Sequence, residues 1–411
     1  MNDPAKLQLL MRSEGESGFE IFEIDSREVH SGFKPQRPPA TDWELKRQPL
    51  AADGTRSYVL NNRRRDRYLL LSAKEHFLWE KFDGRNSLDE IARAFHFEYG
   101  AFDYSLIREL LAKLDHAGLI EGRRSATPPR NFVSARPFSK TSWLRRRVRE
   151  WRHCAFRLRD ADRYCAAIYR GGGFILFHPL TVALFLGLAL LALAAAYRLA
   201  AHSMEFARLL STQPLLSAAV ILVTIPIASM LHVLAHALAC KSQGRRVREI
   251  GFFLLQGILP TFYADVTDIF MADRRARLAV DLAGPLVEVF LGGAAMLGAY
   301  FSAPSLQQAL LFGVGVLLWE SALINLYPFS FLELDGYNVL ADLLAMPMLR
   351  KQALSLMPNL IQALQKPRRV RRAELIQMGY LALCVVSVLV YLVLHLDAIR
   401  ALLPQRLSLF S

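Results

Sequence analysis

The chain has 411 residues, is 53% apolar and carries a formal net charge of +13, with a mean hydropathy of +0.21. Its length leaves room for two or three domains, and its hydropathy is high for a water-soluble protein. The arginines gather beside apolar runs that approach or exceed ~20 residues, so the positive charge fits a cytoplasmic membrane face and makes nucleic acid an unlikely partner.

The opening MNDPAKLQLLMRSEGE has neither the basic start nor the apolar core of a secretory signal, so the amino-terminal part is expected in the cytoplasm. Residues 1–56 are rich in turn formers, with PQRPP at 36–40, and read as an irregular region. Order is expected from Ser57. SYVLNNRRRDRYLLLS suggests two short strands around a polar turn at 61–66. AKEHFLWEKF follows with Phe77, Leu78 and Phe82 at helical spacing, and Asp83-Gly84 stops it. Ser87 and Glu90 have the spacing of a capping box ahead of a second helix. A third helix spans 105–117 and ends at Gly118.

These elements make a small α+β winged-helix domain over 57–124. The string LSAKEHFLWEKFDGRNSLDEIARAF, closing in LLAKLDHAGLIEG, resembles the peptide-chaperone domain known from PQQ biosynthesis. That resemblance implies that the domain holds a leader peptide, added as a strand to a sheet edge.

Residues 125–170 are a basic linker and juxtamembrane segment. Within it, WLRRRVREWRHCAFRLRD (143–160) interleaves arginines with aromatics and is expected to lie on anionic lipid headgroups. Five membrane spans then follow, over 174–199, 214–240, 276–301, 306–327 and 376–394. The apolar stretch 251–264 is too short to cross, and Gly257 and Pro260 break it. It reads as a re-entrant hairpin or strand pair packed in protein. An extra partial span within 338–365 stays open. The basic flanks at 145–170, 241–248, 274–277 and 366–372 all fall on one side if the amino terminus is inside and five spans follow. Cys154, Cys165, Cys240 and Cys384 are scattered, with no C-x-x-C pair, and are expected to be free buried thiols. His178, His202 and His395 stand singly near span ends and read as ordinary interface histidines. In span four, Trp319 is expected as an interface anchor and Glu320 as a buried acid.

The chemistry concentrates at the cytoplasmic end of span two. His232 and His236 stand one helical turn apart on one helix face, and histidines inside a bilayer are costly and usually functional. The topology brings Asp335, just past span four, to the same depth. Two histidines and one carboxylate leave a fourth position open, as a catalytic zinc site requires.

HVLAHALACKSQGRRV, FYADVTD, AGPLVEVF at 283–290 and NLYPFSFLELDGY resemble, in order and spacing, the site-2 protease family, most closely its peptide zinc metalloprotease branch. The similarity covers about residues 170–400. It implies an all-α polytopic core over 171–400, located in the inner (cytoplasmic) membrane. It also implies zinc held by His232, His236 and Asp335. Asn325 and Pro328 match the family's N-x-x-P, whose asparagine steadies the substrate or transition state.

One position departs from the pattern. Where the family has its general base, a glutamate, this chain has Val233. Losing a general acid–base costs ~10²–10⁴ in rate. Three readings stay open. Another carboxylate substitutes: Asp265, Asp268, Glu288 and Glu333 are the candidates, with Asp268 preferred as an acid in an otherwise apolar hairpin. Alternatively, the protein is a pseudoprotease that binds or presents a peptide. In the third reading it is a subunit of a peptide maturation or export system. The expected substrate is a peptide or membrane protein, with a peptide-modifying or export partner beside it.

Overall fold

A computed structural model describes residues 7–12, 19–24, 34–100, 104–121, 156–158, 160–255, 259–356 and 371–394. The chain divides into two compact units, Met1–Gln48 with Thr55–Arg136, and Pro49–Gly54 with Pro137–Ser411.

In the first unit, β1 (Leu7–Arg12) pairs antiparallel with β2 (Phe19–Ile24). A three-stranded antiparallel sheet has the order β3 (Trp43–Arg47), β4 (Ser57–Asn62), β5 (Arg67–Ser72). Three of these strands lie inside 1–56, the region expected to be irregular. The apolar alternation of β3 is only Trp43 and Leu45, both packed on the core, and two residues are too few to stand out in sequence. Helices α1 (Ala73–Lys81), α2 (Leu88–Tyr99) and α3 (Tyr104–Ala117) complete the unit. Both α1 and α2 open with a reciprocal capping box, Ser72 with Glu75 and Ser87 with Glu90. Each box satisfies backbone N–H groups that the first helical turn leaves unpaired. Trp79, Phe82, Phe95, Leu110 and Leu114 fill the core. The Asn62 side-chain amide donates to the carbonyls of Ala117 and Gly118 at 2.8 and 2.9 Å, fixing the β4–β5 turn to the end of α3.

The second unit holds five helices long and apolar enough to cross a membrane: α5 (Pro179–Ala200), α7 (Pro214–Ser242), α8 (Arg274–Phe301), α9 (Leu306–Leu326) and α11 (Arg372–Leu394). Shorter helices α4 (Ala161–Arg170), α6 (Ser203–Thr212) and α10 (Asp335–Leu344) join them. The protein is therefore a mostly helical, multi-pass membrane protein with a small antiparallel sheet in its amino-terminal part. The first span begins at Pro179, later than the expected 174, because residues 173–177 form a separate 3₁₀ turn. Proline pre-sets the backbone angle of a first helical position, and the His178 ring accepts from Leu180 N–H at 3.3 Å to cap it. No further span appears among the described residues of 338–365.

The stretch 251–264 is a strand pair, β7 (Ile250–Leu255) and β8 (Leu259–Ala264), and β6 (Phe156–Leu158) pairs with β7. Gly257 lies outside the described residues, as do most of the 143–160 stretch, the linker before it, Cys154 and His395. Helix α8 is the most buried span, and α5, α7, α9 and α10 all pack on it. Its closest neighbour is α9. A Cβ on Gly292 would lie 2.5 Å from Trp319 Cδ1 and 3.1 Å from the Gly315 carbonyl oxygen. Small residues let membrane helices approach backbone to backbone. Trp319 is no interface anchor: its indole N–H donates to the Val289 carbonyl at 2.9 Å, tying α9 to α8. Glu320, expected to be buried, is exposed on α9.

Candidate metal centre

Three elements build the site. Helix α7 presents His232 and His236, four residues and one turn apart. Helix α10 presents Asp335 at its first position. Helix α8 crosses behind them, and Gly284 occupies the crossing. A Cβ at Gly284 would run into Nε2 of both His232 and His236. Glycine here leaves space where any other residue would fill it.

The ligating atoms converge. The two Nε2 atoms are 3.0 Å apart, and the Asp335 carboxylate oxygens lie 3.1 Å from His232 Nε2 and 3.4 Å from His236 Nε2. These three residues form a group whose ligand atoms all lie within 4.8 Å of one another, able to hold a metal ion. Ligands ~2.0–2.1 Å from a tetrahedral zinc lie ~3.3–3.4 Å from one another, close to the observed spacing.

The opposite ring nitrogens decide the protonation. His236 Nδ1 meets the Val280 carbonyl at 2.7 Å, and a carbonyl only accepts, so Nδ1 carries the proton. His232 Nδ1 meets Glu288 Oε1 at 3.0 Å, and Asn325 Nδ2 donates to Glu288 Oε2 at 3.3 Å. Glu288 thus accepts on both oxygens, as a carboxylate does. Both Nε2 atoms then face each other and the Asp335 carboxylate, an arrangement compatible with a cation at its centre. Carboxylate and carbonyl partners of this kind orient metal-bound histidines and raise their basicity.

Pro285 contributes through the backbone. It has no N–H to give the carbonyl of Asp281, one turn earlier, so α8 lacks one backbone bond next to Val280, whose carbonyl meets His236. Helix α4 fixes the carboxyl-terminal end of α7: Asp162 Oδ1 accepts from Lys241 Nζ at 2.8 Å and from Val247 N–H at 2.9 Å. Burial pushes the Asp162 carboxyl up, but these two donors outweigh it and hold it below the ordinary 3.8.

Val233 is buried and offers no proton-carrying group. Each carboxylate weighed as its substitute has its own partners. Asp268 is buried, with Oδ2 accepting from Arg246 N–H at 3.0 Å and Arg245 Nη1 3.9 Å away. Asp265 pairs with Arg248 at 2.9 Å and accepts from Thr267. Glu333 pairs with Arg350 at 2.6 Å. Glu288 serves His232. Sequence reading set Glu288 among possible bases and missed its role as a histidine partner. The two residues lie 56 positions apart, and only the helix crossing brings them together. Asn325 meets Glu288, so it sits at the same crossing.

Between α8, α10 and the segment around β8 lies a cavity of about 440 Å³ whose wall mixes Glu249, Asp265, Arg277, Asp281, Asn338 and Asp342 with apolar side chains. Arg277 Nε donates to Asp342 Oδ2 at 2.9 Å across α8 and α10. Burial pushes the Asp342 carboxyl above its ordinary value, against the pull of Arg277.

One curated relative is similar to part of the chain. It is the Bacillus subtilis (strain 168) protein named "Putative peptide zinc metalloprotease protein YydH", 29% identical over 119 residues. The match covers 28% of this chain and 44% of that protein, so the chain spans less than half of the relative's length. No family model matches the chain, and no solved structure does. The distant similarity and the His-His-Asp group together support a metalloprotease-like protein with a site compatible with zinc.

Proposed function

We propose that the chain is a zinc-binding, metalloprotease-like protein of the inner membrane that hydrolyses a peptide bond near the cytoplasmic face. The observation that carries this reading is the convergence of His232 Nε2, His236 Nε2 and the Asp335 carboxylate, with both Nδ1 atoms already committed. When bound there, zinc polarises a scissile carbonyl and activates water. The chain's own residues do the rest. Glu288 and the Val280 carbonyl hold the imidazoles in one tautomer. Gly284 keeps the centre open. Asn325, at the edge of the same crossing, is the group placed to hold a substrate carbonyl or the oxyanion that replaces it. The amino-terminal unit delivers the peptide. Anionic headgroups receive the basic juxtamembrane segment, and a peptide-modifying or export machine is the partner upstream or downstream.

A second reading has its own observation. Val233 stands beside a metal ligand as a buried valine, which suits a pseudoprotease that binds a peptide without cutting it. In both readings the metal is retained.

The test is metal content of detergent-purified protein beside H232A and D335A. About one zinc per chain, lost in both variants while their folds persist, is the expected result. Protein that stays folded and metal-free under zinc sinks both readings.

A further inference from the structure

The residue missing at position 233 leaves a gap in the chemistry, and the acids weighed for it are all engaged elsewhere. Asp281 is not. It makes no hydrogen bond or ion pair with a described residue, and the charges acting on it are those of Asp342, Asp335 and Arg277. Arg277, the one cation among these, spends its Nε on Asp342.

Helical register sets where Asp281 stands. On α8, Asp281, Gly284 and Glu288 follow at intervals of three and four and share a face. Gly284 faces the two Nε2 atoms and Glu288 bonds His232, so that face is turned to the metal centre. Asp281 sits on it ~4.5 Å along the axis from Gly284. On α10, Asp335, Asn338 and Asp342 keep the same intervals and form a second stripe. The cavity of about 440 Å³ lies along both stripes, with Asp281, Asn338 and Asp342 in its wall. It is roomy enough for water, and its charged side chains offer water partners. Glu249 and Asp265 also line it, and the metal centre lies one helical turn away along both stripes, at Gly284 on α8 and Asp335 on α10. An unpaired carboxyl on a membrane-spanning helix, open to such a cavity, is costly unless it is used.

We propose that Asp281 is the general base and general acid that replaces the carboxylate absent at position 233. This rests on the hydrolytic reading above. The Asp281 carboxylate takes one proton from the attacking water while the water oxygen bonds to the scissile carbonyl carbon. The C–N bond then breaks, and the same proton passes from Asp281 to the leaving nitrogen. Water is consumed, a carboxyl and an amine terminus appear, and Asp281 returns to carboxylate. The proton carrier thus arrives from α8 and not from the helix that bears the histidines.

The test uses the full chain in detergent with Co²⁺ as probe, so no substrate is needed. Wild type and D281N are each loaded with Co²⁺, and visible absorption is followed against pH. Both are expected to bind about one Co²⁺ per chain. The midpoint of the absorption change is expected to fall by about one pH unit or more in D281N, because a nearby negative charge is gone. Wild type and D281N with equal Co²⁺ and the same midpoint overturns the proposal and leaves the metal reading standing. Loss of Co²⁺ in D281N alone also overturns it, since Asp281 would then be propping the ligands. Wild type without Co²⁺ removes the metal reading and this proposal together.

Discussion

Gly284 is the tightest constraint on the metal centre. Any side chain there meets both ligating nitrogens, and neither histidine can retreat, because each Nδ1 is held from behind. G284A is therefore expected to weaken zinc binding by about tenfold or more, the scale of a forced overpacking. Competition with a chromogenic chelator reads this directly. Glu288 acts more gently. E288Q keeps the shape but removes the charge behind His232, and a drop of about 10–100-fold in zinc affinity is expected. A Kd unchanged in E288Q would show that Glu288 does not tune the ligand. These residues differ in how visible they were. His232, His236 and Asp335 stood out because their spacing and their place in apolar spans are sequence patterns. The partners of Nδ1 left no such trace: one is a backbone carbonyl, which every residue has, and the other lies 56 positions away.

At the scale of elements, propensity and periodicity carried most of the reading. Ser87 and Glu90 do form the capping box that their spacing announced. S87A removes it and is expected to cost α2 about 1 kcal/mol, seen as faster amide hydrogen exchange across 88–99. The twin box at Ser72 has a second consequence. Burial pushes the Glu75 carboxyl up, but hydrogen bonds from Lys113 and Ser72 outweigh it and hold it below 4.5. A carboxyl lowered in the folded state stabilises above its unfolded value and loses that contribution as pH falls through the folded one. The stability that Glu75 contributes is thus expected to be lost only below about pH 4.5. K113A should flatten that acid slope, and equal slopes in the two proteins would refute the pairing. The spans were legible for a similar reason: long apolar runs report their own burial in lipid. Strand β3 was not, because two inward residues make no period. The boundary at Pro179 was missed because the apolar run continues through the 3₁₀ turn before it.

For the whole molecule, topology is the claim most open to test. Five crossings with an internal amino terminus put 243 inside and 304 outside. Single cysteines at those positions, in a chain stripped of its native ones, are expected to react oppositely with a membrane-impermeant maleimide on intact cells. Labelling of both from one side would break the five-span count. The architecture also divides labour. The three residues able to hold a metal sit on α7 and α10, while the groups that meet the histidines or their partner, Glu288, Val280 and Asn325, sit on α8 and α9.

The glycine contact between Gly292 and Gly315 gives that division a mechanical meaning. Helices whose backbones touch have little side-chain padding between them to shear, so α8 and α9 behave as one rigid plate. A metal held by His232, His236 and Asp335 would then join α7 and α10 across that plate. Pulling it out with a chelator should leave the plate stiff and set the two ligand-bearing helices swinging separately.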